Sequence, residues 1–154
     1  MSDIPEPIKQ PITSDDIDEL ETIELLFFAY RDFISDPDRI LQNLGFGRAH
    51  HRTLYFVSRN PGMTVAELLS ILKITKQSLA RVLRQLIDSN YILQTEGTND
   101  RRKRLLFVTN KGKDLVLALS EPQSNRIQNA FDRTKPEAKE HIIEFLNTMI
   151  GSQK

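Results

Sequence analysis

The fold follows from the stretch TVAELLSILKITKQSLARVLRQLIDSN, residues 64–90. Thr64 and Glu67 have the spacing of a capping box, in which the threonine hydroxyl accepts from the glutamate amide while the glutamate side chain reaches back. A short helix follows, and residues 73–74 form a tight connection to a second helix, which Thr75 is placed to cap. Two helices joined by so short a turn, the second richer in basic residues, predict a helix-turn-helix.

The second helix of this pair has an apolar and a polar face. At about 100° per residue, the apolar arc comprises Leu79, Val82, Leu83, Leu86 and Ile87, and the opposite arc comprises Gln77, Arg81, Arg84, Gln85 and Asp88. Lys and Arg donate to guanine and Gln pairs with adenine in a major groove, so Lys76, Gln77 and Arg81 are candidates for base contacts. Ser78 and Arg84 fit phosphates better. For any one of these residues alone, a solvated helix face is the alternative.

Residues 91–108 change from a helical period to a β-prone one. Two β-prone segments flank the turn-rich residues 96–100, which predicts a hairpin with a long loop. Four adjacent cations follow at residues 101–104, and such a loop suits the narrow minor groove of DNA, with Arg102 as the inserted side chain. Asp100 is expected to orient an arginine, because phosphates repel a carboxylate. A solubilising basic turn is the alternative.

Three stretches of the chain, residues 74–81, 99–102 and 106–112, resemble the MarR family of transcriptional regulators. The combination of an Asp-x-Arg wing and a Thr-x-x-Gly at this distance is fairly specific. Lys76, Gln77, Ser78, Arg81 and Arg84 match the recognition helix of the family and Asp100 and Arg102 match its wing; with Thr75, Arg101 and Lys103 they form the candidate DNA-binding set. The resemblance is close over residues 64–112.

The resemblance also implies an assembly and a mode of action. It implies a triangular homodimer, with the first helix and the last two helices of both subunits intertwined. The partner would be double-stranded DNA with a pseudo-palindromic operator. The usual role is that of a repressor released by a small-molecule effector, often an aromatic acid.

Charge is unevenly distributed, although the formal net charge is zero. Residues 1–39 carry three basic and eleven acidic side chains, whereas residues 40–112 carry twelve basic and four acidic ones. The remaining residues are balanced. A basic middle segment in such a chain is the electrostatic footprint of a DNA-binding region.

The helices that flank the basic segment carry more apolar residues than one core-facing stripe needs, which suggests a partner helix. The expected dimerisation residues are Ile17, Leu20, Ile23, Phe27, Tyr30, Ile142, Phe145, Leu146 and Met149. A first helix buried within its own monomer is the alternative.

The predicted fold class is mainly α with a small β-hairpin wing (α+β), a winged helix-turn-helix with N- and C-terminal dimerisation helices. The predicted organisation is a flexible arm at residues 1–13, an N-terminal dimerisation helix at 14–44, a winged helix-turn-helix at 45–110 and C-terminal dimerisation helices at 111–154.

Local signals predict several helix boundaries. Residues 13–14 offer cap oxygens for the first helix, and a further helix is expected over residues 47–59. Thr109 is expected to cap the helix after the wing, which Pro122 should kink or break. Thr134 is expected to cap the last helix.

His50, His51 and Tyr55 form a candidate ligand pocket between the dimerisation and DNA-binding regions. Core packing or a structural hydrogen bond is the alternative for the two histidines. Adjacent histidines on a helix point about 100° apart, so they make a poor chelating pair and no metal is expected.

Several function classes are excluded or disfavoured by the sequence. There is no cysteine, which removes disulfides and thiol chemistry. The chain has no HExxH, G-x-G-x-x-G or P-loop motif, so neither an enzyme nor a cofactor is expected. No apolar stretch is long enough for a membrane span, and a cytoplasmic location is expected. A winged-helix protein–protein interaction module without specific DNA binding is the alternative function.

Overall fold

The computed structural model describes residues 3–151 and divides the chain into two compact units, Met1–Phe33 and Ile34–Lys154. The helices are α1 (Leu20–Ser35), α2 (Asp38–Asn43), α3 (Arg48–Arg59), α4 (Val65–Leu72), α5 (Lys76–Asp88), α6 (Asn110–Asp132) and α7 (Ala138–Met149). The strands are β1 (Met63–Thr64), β2 (Ile92–Glu96) and β3 (Arg104–Val108). The predicted class, mostly helical with a small antiparallel sheet, is confirmed.

In the first unit, a segment with three prolines and no helix or strand precedes α1. Thr13 and Asp16 form a turn, in which the Thr13 amide donates to Asp16 Oδ2 at 2.8 Å and the Asp16 amide donates to the Thr13 carbonyl at 2.9 Å. The helix begins only at Leu20, after Glu19 in a left-handed conformation with φ of 64°. The predicted start at residues 13–14 is wrong, because the short polar side chains bond nearby backbone and favour a turn.

The core of the second unit draws buried side chains from every element between α2 and α6. The most deeply buried are Leu41, Leu54, Leu68, Leu79, Leu86, Ile92, Leu106 and Leu119. Each contributes roughly 1.5–3 kcal/mol by its removal from water. The apolar arc predicted for α5 faces this core, and of its five residues only Ile87 is partly exposed.

The helix-turn-helix has the caps and the turn that the sequence predicts. The Thr64 hydroxyl accepts from the Glu67 amide at 3.1 Å, and Thr75 accepts in the same way from the Ser78 amide at 3.1 Å. Lys73 ends α4 in a left-handed conformation with φ of 52°. Each cap contributes about 1 kcal/mol. The cap at Thr64 fixes where α4 begins, and the cap at Thr75 fixes where α5 begins.

The hairpin predicted after α5 forms, and it belongs to a three-stranded antiparallel sheet of order β1-β3-β2. Its register pairs Ile92 with Val108 and Glu96 with Arg104, so residues 97–103 form the wing loop. The sequence did not predict β1, because two residues show no period; it pairs Met63 with Leu106.

The helix after the wing starts as predicted but is not broken. Thr109 caps α6 by accepting from the Gly112 amide at 3.0 Å. Pro122 lies inside the 23-residue helix, which continues to Asp132, so of the two expected outcomes the break does not occur, and the kink stays a prediction. A proline inside a helix costs about 3 kcal/mol. Leu119 and Gln123 are buried on either side of it, and burial of the apolar Leu119 opposes that cost.

Two other local expectations also need correction. Thr134 does not cap the last helix: its hydroxyl donates to the Phe131 carbonyl at the end of α6, and α7 begins at Ala138 with no side-chain cap. The short helix α2 was not predicted. The helix expected over residues 47–59 is confirmed as α3, with Gly47 as its N-cap.

Over residues 3–151, no helix is long and apolar enough to cross a membrane.

Gly112 is expected to tolerate no side chain. A Cβ at this position would lie far inside the van der Waals distance of the Tyr91 carbonyl oxygen, and a backbone atom cannot move aside as a side chain can. Gly112→Ala should therefore lower the free energy of unfolding by about 2 kcal/mol or more. The melting temperature in a thermal scan should fall by roughly 4–8 °C.

Gly47→Ser is the control, because a Cβ at Gly47 meets nothing within 4 Å and serine is a good N-cap. A melting temperature for Gly112→Ala equal to that of the wild type would contradict the close approach of α6 to Tyr91.

Candidate nucleic-acid interface

The outer face of α5 presents polar and basic side chains to solvent. Lys76, Gln77, Arg81, Arg84 and Gln85 are exposed, and Ser78 is half-buried. The Thr75 hydroxyl donates to Ser78 Oγ at 2.9 Å while its oxygen accepts from the Ser78 amide. These two bonds order the first turn, from which Lys76 and Gln77 project.

The wing loop is shaped by Asp100. Its carboxylate accepts from the Arg102 amide at 3.0 Å, and its carbonyl accepts from the Lys103 amide at 3.1 Å. The Gly97 amide donates to the Lys103 carbonyl at 2.9 Å and closes the loop. A Cβ at Gly97 would lie 2.5 Å from the Asp100 carbonyl oxygen, so the loop requires glycine there.

The wing cations differ in their surroundings. The Arg102 side chain is 96% exposed, with its Nε 3.7 Å from Asp100. Arg104 lies 3.7 Å from Glu96 and also donates to the Arg101 carbonyl at 3.4 Å. Exposed pairs of this kind contribute little to stability, so the wing cations can exchange these partners for phosphate at low cost.

The structure places α5, the predicted recognition helix, beside β2, the strand that leads into the wing loop. A groove with a volume of about 330 Å³ lies between α5 and β2. Its apolar wall includes Val65, Leu83 and Ile87, and the polar side chains of Arg84, Asp88 and Gln94 also line it. Sequence reasoning did not find this groove, because the alternation along β2 does not say which helix lies beside it.

His50 is held by three contacts. Its ring stacks on Phe46 with centroids 4.6 Å apart, and its Nδ1 accepts from the Gly47 amide at 3.0 Å. Its Nε2 lies 2.5 Å from Oε1 of Gln85 on α5. Because an amide donates to Nδ1, the neutral ring carries its hydrogen on Nε2, which donates to Gln85.

Burial lowers the pKa of both His50 and His51 below the ordinary value of 6.5. For His50, the hydrogen bond to Gln85 partly opposes this fall, and the positive charge of Arg81 adds to it. Both histidines are therefore neutral near pH 7.

The three residues predicted for a ligand pocket do not share one environment. His50 and His51 are buried, whereas Tyr55 is exposed and packs edge-on against Phe56. None of them lines the groove beside α5 or a second cavity of about 560 Å³ on α6. That second cavity contains Arg126, whose guanidinium donates to both carboxylate oxygens of Asp36 at 2.6 and 2.8 Å. The pocket at His50, His51 and Tyr55 stays a prediction.

The predicted dimerisation residues are largely exposed. In the first unit, Ile17, Ile23, Phe27 and Tyr30 are exposed and Leu20 is half-buried. In the second unit, Ile142, Phe145, Leu146 and Met149 lie exposed on α7. Exposed Leu117 and Ile127 on α6, with Ile143 and Ile150, extend the apolar surface of this unit beyond the predicted set.

Known proteins resemble the chain in sequence and in fold. The family model for the MarR family matches residues 44–103. The HTH-type transcriptional regulator PetP of Rhodobacter capsulatus is 47% identical over 128 residues, which are 83% of this chain and 77% of PetP. A MarR-family regulator from Silicibacter pomeroyi is similar in structure, with a TM-score of 0.77 and 16% identity over 94% of this chain and 97% of that one. A mutant of MepR from a multidrug-resistant clinical isolate of S. aureus gives a TM-score of 0.76 and 20% identity over 88% of this chain and 99% of that one.

The neutral histidines predict how stability depends on pH. A folded-state pKa below that of the unfolded chain means that the unfolded state binds more protons, so acid favours unfolding. The free energy of unfolding should be at its full value above pH 6.5 and should fall as the pH drops below 6.5 towards the lowered values.

Urea titrations at several pH values measure this dependence. The free energy of unfolding of His50→Gln should fall less steeply just below pH 6.5 than that of the wild type. Identical curves for His50→Gln and the wild type would contradict a buried neutral His50.

Proposed function

Because the chain belongs to the MarR family of transcriptional regulators, we propose that it is a ligand-responsive repressor that binds a pseudo-palindromic operator as a homodimer. The family consists of transcriptional regulators, not enzymes. The observation that supports the proposal best is the exposed polar and basic face of α5, which follows a capped tight turn and belongs to a helix beside β2, the strand that leads into a wing with exposed cations.

The recognition helix supplies the sequence preference in this proposal. Lys76, Gln77 and Arg81 lie on its first turns, are exposed and have the donors that read guanine or adenine edges. Thr75, Ser78 and Arg84 bind phosphates and fix the register. The cap at Thr75 supports this division, because it orders the backbone from which the base-reading side chains project.

The wing supplies affinity in this proposal. Arg102 enters the minor groove, Arg101 and Lys103 contact phosphates beside it, and Asp100 keeps the loop in shape through the Arg102 amide. Phosphate contacts release counterions, so binding should weaken steeply as salt rises.

Substitutions in the two elements should have different effects on DNA binding. With labelled DNA from the region upstream of its own gene and random DNA of the same length, Arg102→Ala should weaken binding to both about tenfold. It should also reduce, by about 1, the slope of the logarithm of the binding constant against the logarithm of the salt concentration, because one cation near the DNA phosphates is lost. Gln77→Ala should change which base is preferred at one position of each half-site, by about 1–3 kcal/mol.

Lys135→Ala is the control, because it removes an exposed cation from the connection between α6 and α7. Equal losses for Gln77→Ala on every sequence would contradict its base-reading role. A wild-type protein with no preference over random DNA at low salt would contradict the repressor proposal and favour the protein-interaction alternative.

The homodimer is proposed to form through the helices outside the DNA-binding region. The proposed parts are the arm at residues 1–13, the helices within 14–44 and 111–154, and the DNA-binding part at 45–110. Phe27 on α1 is 72% exposed, and α7 has no buried residue, so both helices present apolar surface that a second copy would cover. The family resemblance implies the same assembly.

A charge at the apolar surface should dissociate the dimer. Phe145→Glu and Phe27→Glu each place a carboxylate where an interface would bury it, which costs several kcal/mol. Sedimentation velocity should give twice the monomer mass for the wild type and the monomer mass for both variants. Leu93→Glu changes an equally exposed apolar residue on β2, outside the proposed interface, and should stay dimeric. A dimeric Phe145→Glu would contradict the role of α7.

The effector is proposed to be a small organic acid with an apolar body. The groove between α5 and β2 supports this class, because it combines Val65, Leu83 and Ile87 with the guanidinium of Arg84, and its volume of about 330 Å³ lies at the small end of ligand pockets. A ligand there would contact the recognition helix directly. The pocket at His50, His51 and Tyr55 remains the second candidate.

A further inference from the structure

A hydrogen bond joins α3 to the polar, solvent-facing side of α5. The donor is Nε2 of His50 and the acceptor is Oε1 of Gln85, at 2.5 Å and 35 residues apart in the chain. Gln85 lies one helical turn after Arg81, so the two side chains lie one above the other on the same side of α5. The bond therefore acts on the face that carries Arg81.

The orientation of the His50 imidazole is fixed by contacts at its Nδ1 atom and at its ring face. The Gly47 amide fixes the tautomer by donating to Nδ1 at 3.0 Å. Phe46 stacks on the ring with an angle of 12° between the planes, and Phe46 in turn meets the edge of Tyr91 with centroids 5.6 Å apart. Nε2 thus presents its hydrogen to Gln85 in one direction.

Apolar packing sets the rotation of α5 less finely than a directional hydrogen bond can. The arc formed by Leu79, Val82, Leu83 and Leu86 is buried, but hydrophobic burial has no preferred direction. A rotation of about 20° at the roughly 5 Å outer radius of a helix moves a side-chain end by about 2 Å. Hydrogen bonds to a base edge do not survive such a displacement.

We propose that His50 is a positioning residue of the recognition helix: through Gln85 it sets the rotation of α5 and so the direction in which Arg81 and Gln77 point. This role rests on the proposed function in DNA binding, and it assigns His50 a mechanical part distinct from contact with DNA or with a ligand. His50 does not touch DNA in this scheme.

Two substitutions of His50 separate the two ring nitrogens. Glutamine places an amide nitrogen near the position of Nε2 and can still donate to Gln85. Asparagine places an oxygen near the position of Nδ1, where it can accept from the Gly47 amide but cannot reach Gln85. Neither residue carries charge, and both remove the ring that stacks on Phe46.

His50→Asn should bind the preferred DNA about fivefold to tenfold more weakly, the loss expected for one hydrogen bond, and should discriminate less against random DNA. His50→Gln should keep most of both properties. Wild-type binding by His50→Asn would overturn the proposal. Equal losses for the two variants would also overturn it, because they would show that only the stacked ring matters.

Imidazole nitrogen NMR of the free, full-length protein tests the bond without DNA. The His50 ring should carry its hydrogen on Nε2, and Gln85→Met, which removes the acceptor at nearly the same length, should speed the exchange of that hydrogen with water. Gln42→Met, on the exposed side of α2, is the control. A hydrogen on Nδ1 in the wild type would overturn the proposal.

The two readouts distinguish failure of the proposed function from failure of this inference. If the NMR result is as expected but the wild type prefers no DNA, the proposed function fails, and the positioning role in DNA binding is overturned with it. If the wild type prefers its DNA but His50→Asn behaves as the wild type, only this inference fails. Should His50→Asn not fold in a thermal scan, Gln85→Met in the DNA assay replaces it, with wild-type discrimination as the overturning result.

Discussion

The backbone at Tyr91 is the point at which the recognition helix, the wing and α6 are joined. The Tyr91 amide donates to the Leu86 carbonyl at 2.9 Å, which closes the end of α5. The Tyr91 carbonyl accepts from the Thr109 amide at 3.1 Å, where β3 ends and α6 begins. Gly112 lets the first turn of α6 approach this carbonyl more closely than any residue with a Cβ allows. A shift at this one peptide would therefore move three elements together.

Side chains around the same point give it further support. The Thr109 hydroxyl donates to the Asn90 carbonyl at 2.6 Å and accepts from the Gly112 amide, so one residue both caps α6 and ties it to the end of α5. Lys111 donates to the Ser89 carbonyl at 2.8 Å, and its ammonium lies 4.3 Å from the centre of the Tyr91 ring. These contacts explain the Thr-x-x-Gly pattern. The threonine supplies the oxygen that caps α6, and the glycine leaves the space that the Tyr91 carbonyl occupies.

The parts of the structure that the sequence could predict depend on neighbouring residues. Caps at Thr64, Thr75 and Thr109 act over three residues, and the buried arc of α5 follows from helical periodicity alone. Contacts between residues that are distant in the chain leave no periodic or short-range pattern in the sequence, so they could not be predicted. The bond from His50 to Gln85 spans 35 residues and the ion pair of Asp36 with Arg126 spans 90.

The helix boundaries that were predicted wrongly and the contacts that were not predicted have the same origin. Of the two effects expected of Pro122, a break of α6 does not occur, and burial of Leu119 next to it depends on contacts with other elements. The start of α1 was predicted too early because residues 13–16 form hydrogen bonds with one another in a turn. The DNA-binding set could be proposed from the sequence since its members lie on one helix and one loop. A ligand pocket requires side chains from several elements, and the groove beside α5 could only be seen in the structure.

The last helix gives the strongest physical reason to expect a partner. α7 has twelve residues and no buried side chain, and isolated helices of that length are marginal in water. Its apolar residues, among them Phe145 and Met149, are exposed, and covering them would stabilise the helix. A second copy that covers them would also fix two recognition helices at a set distance. Dimerisation and operator binding would then be thermodynamically linked, since only the paired protein presents two recognition helices, one to each half-site.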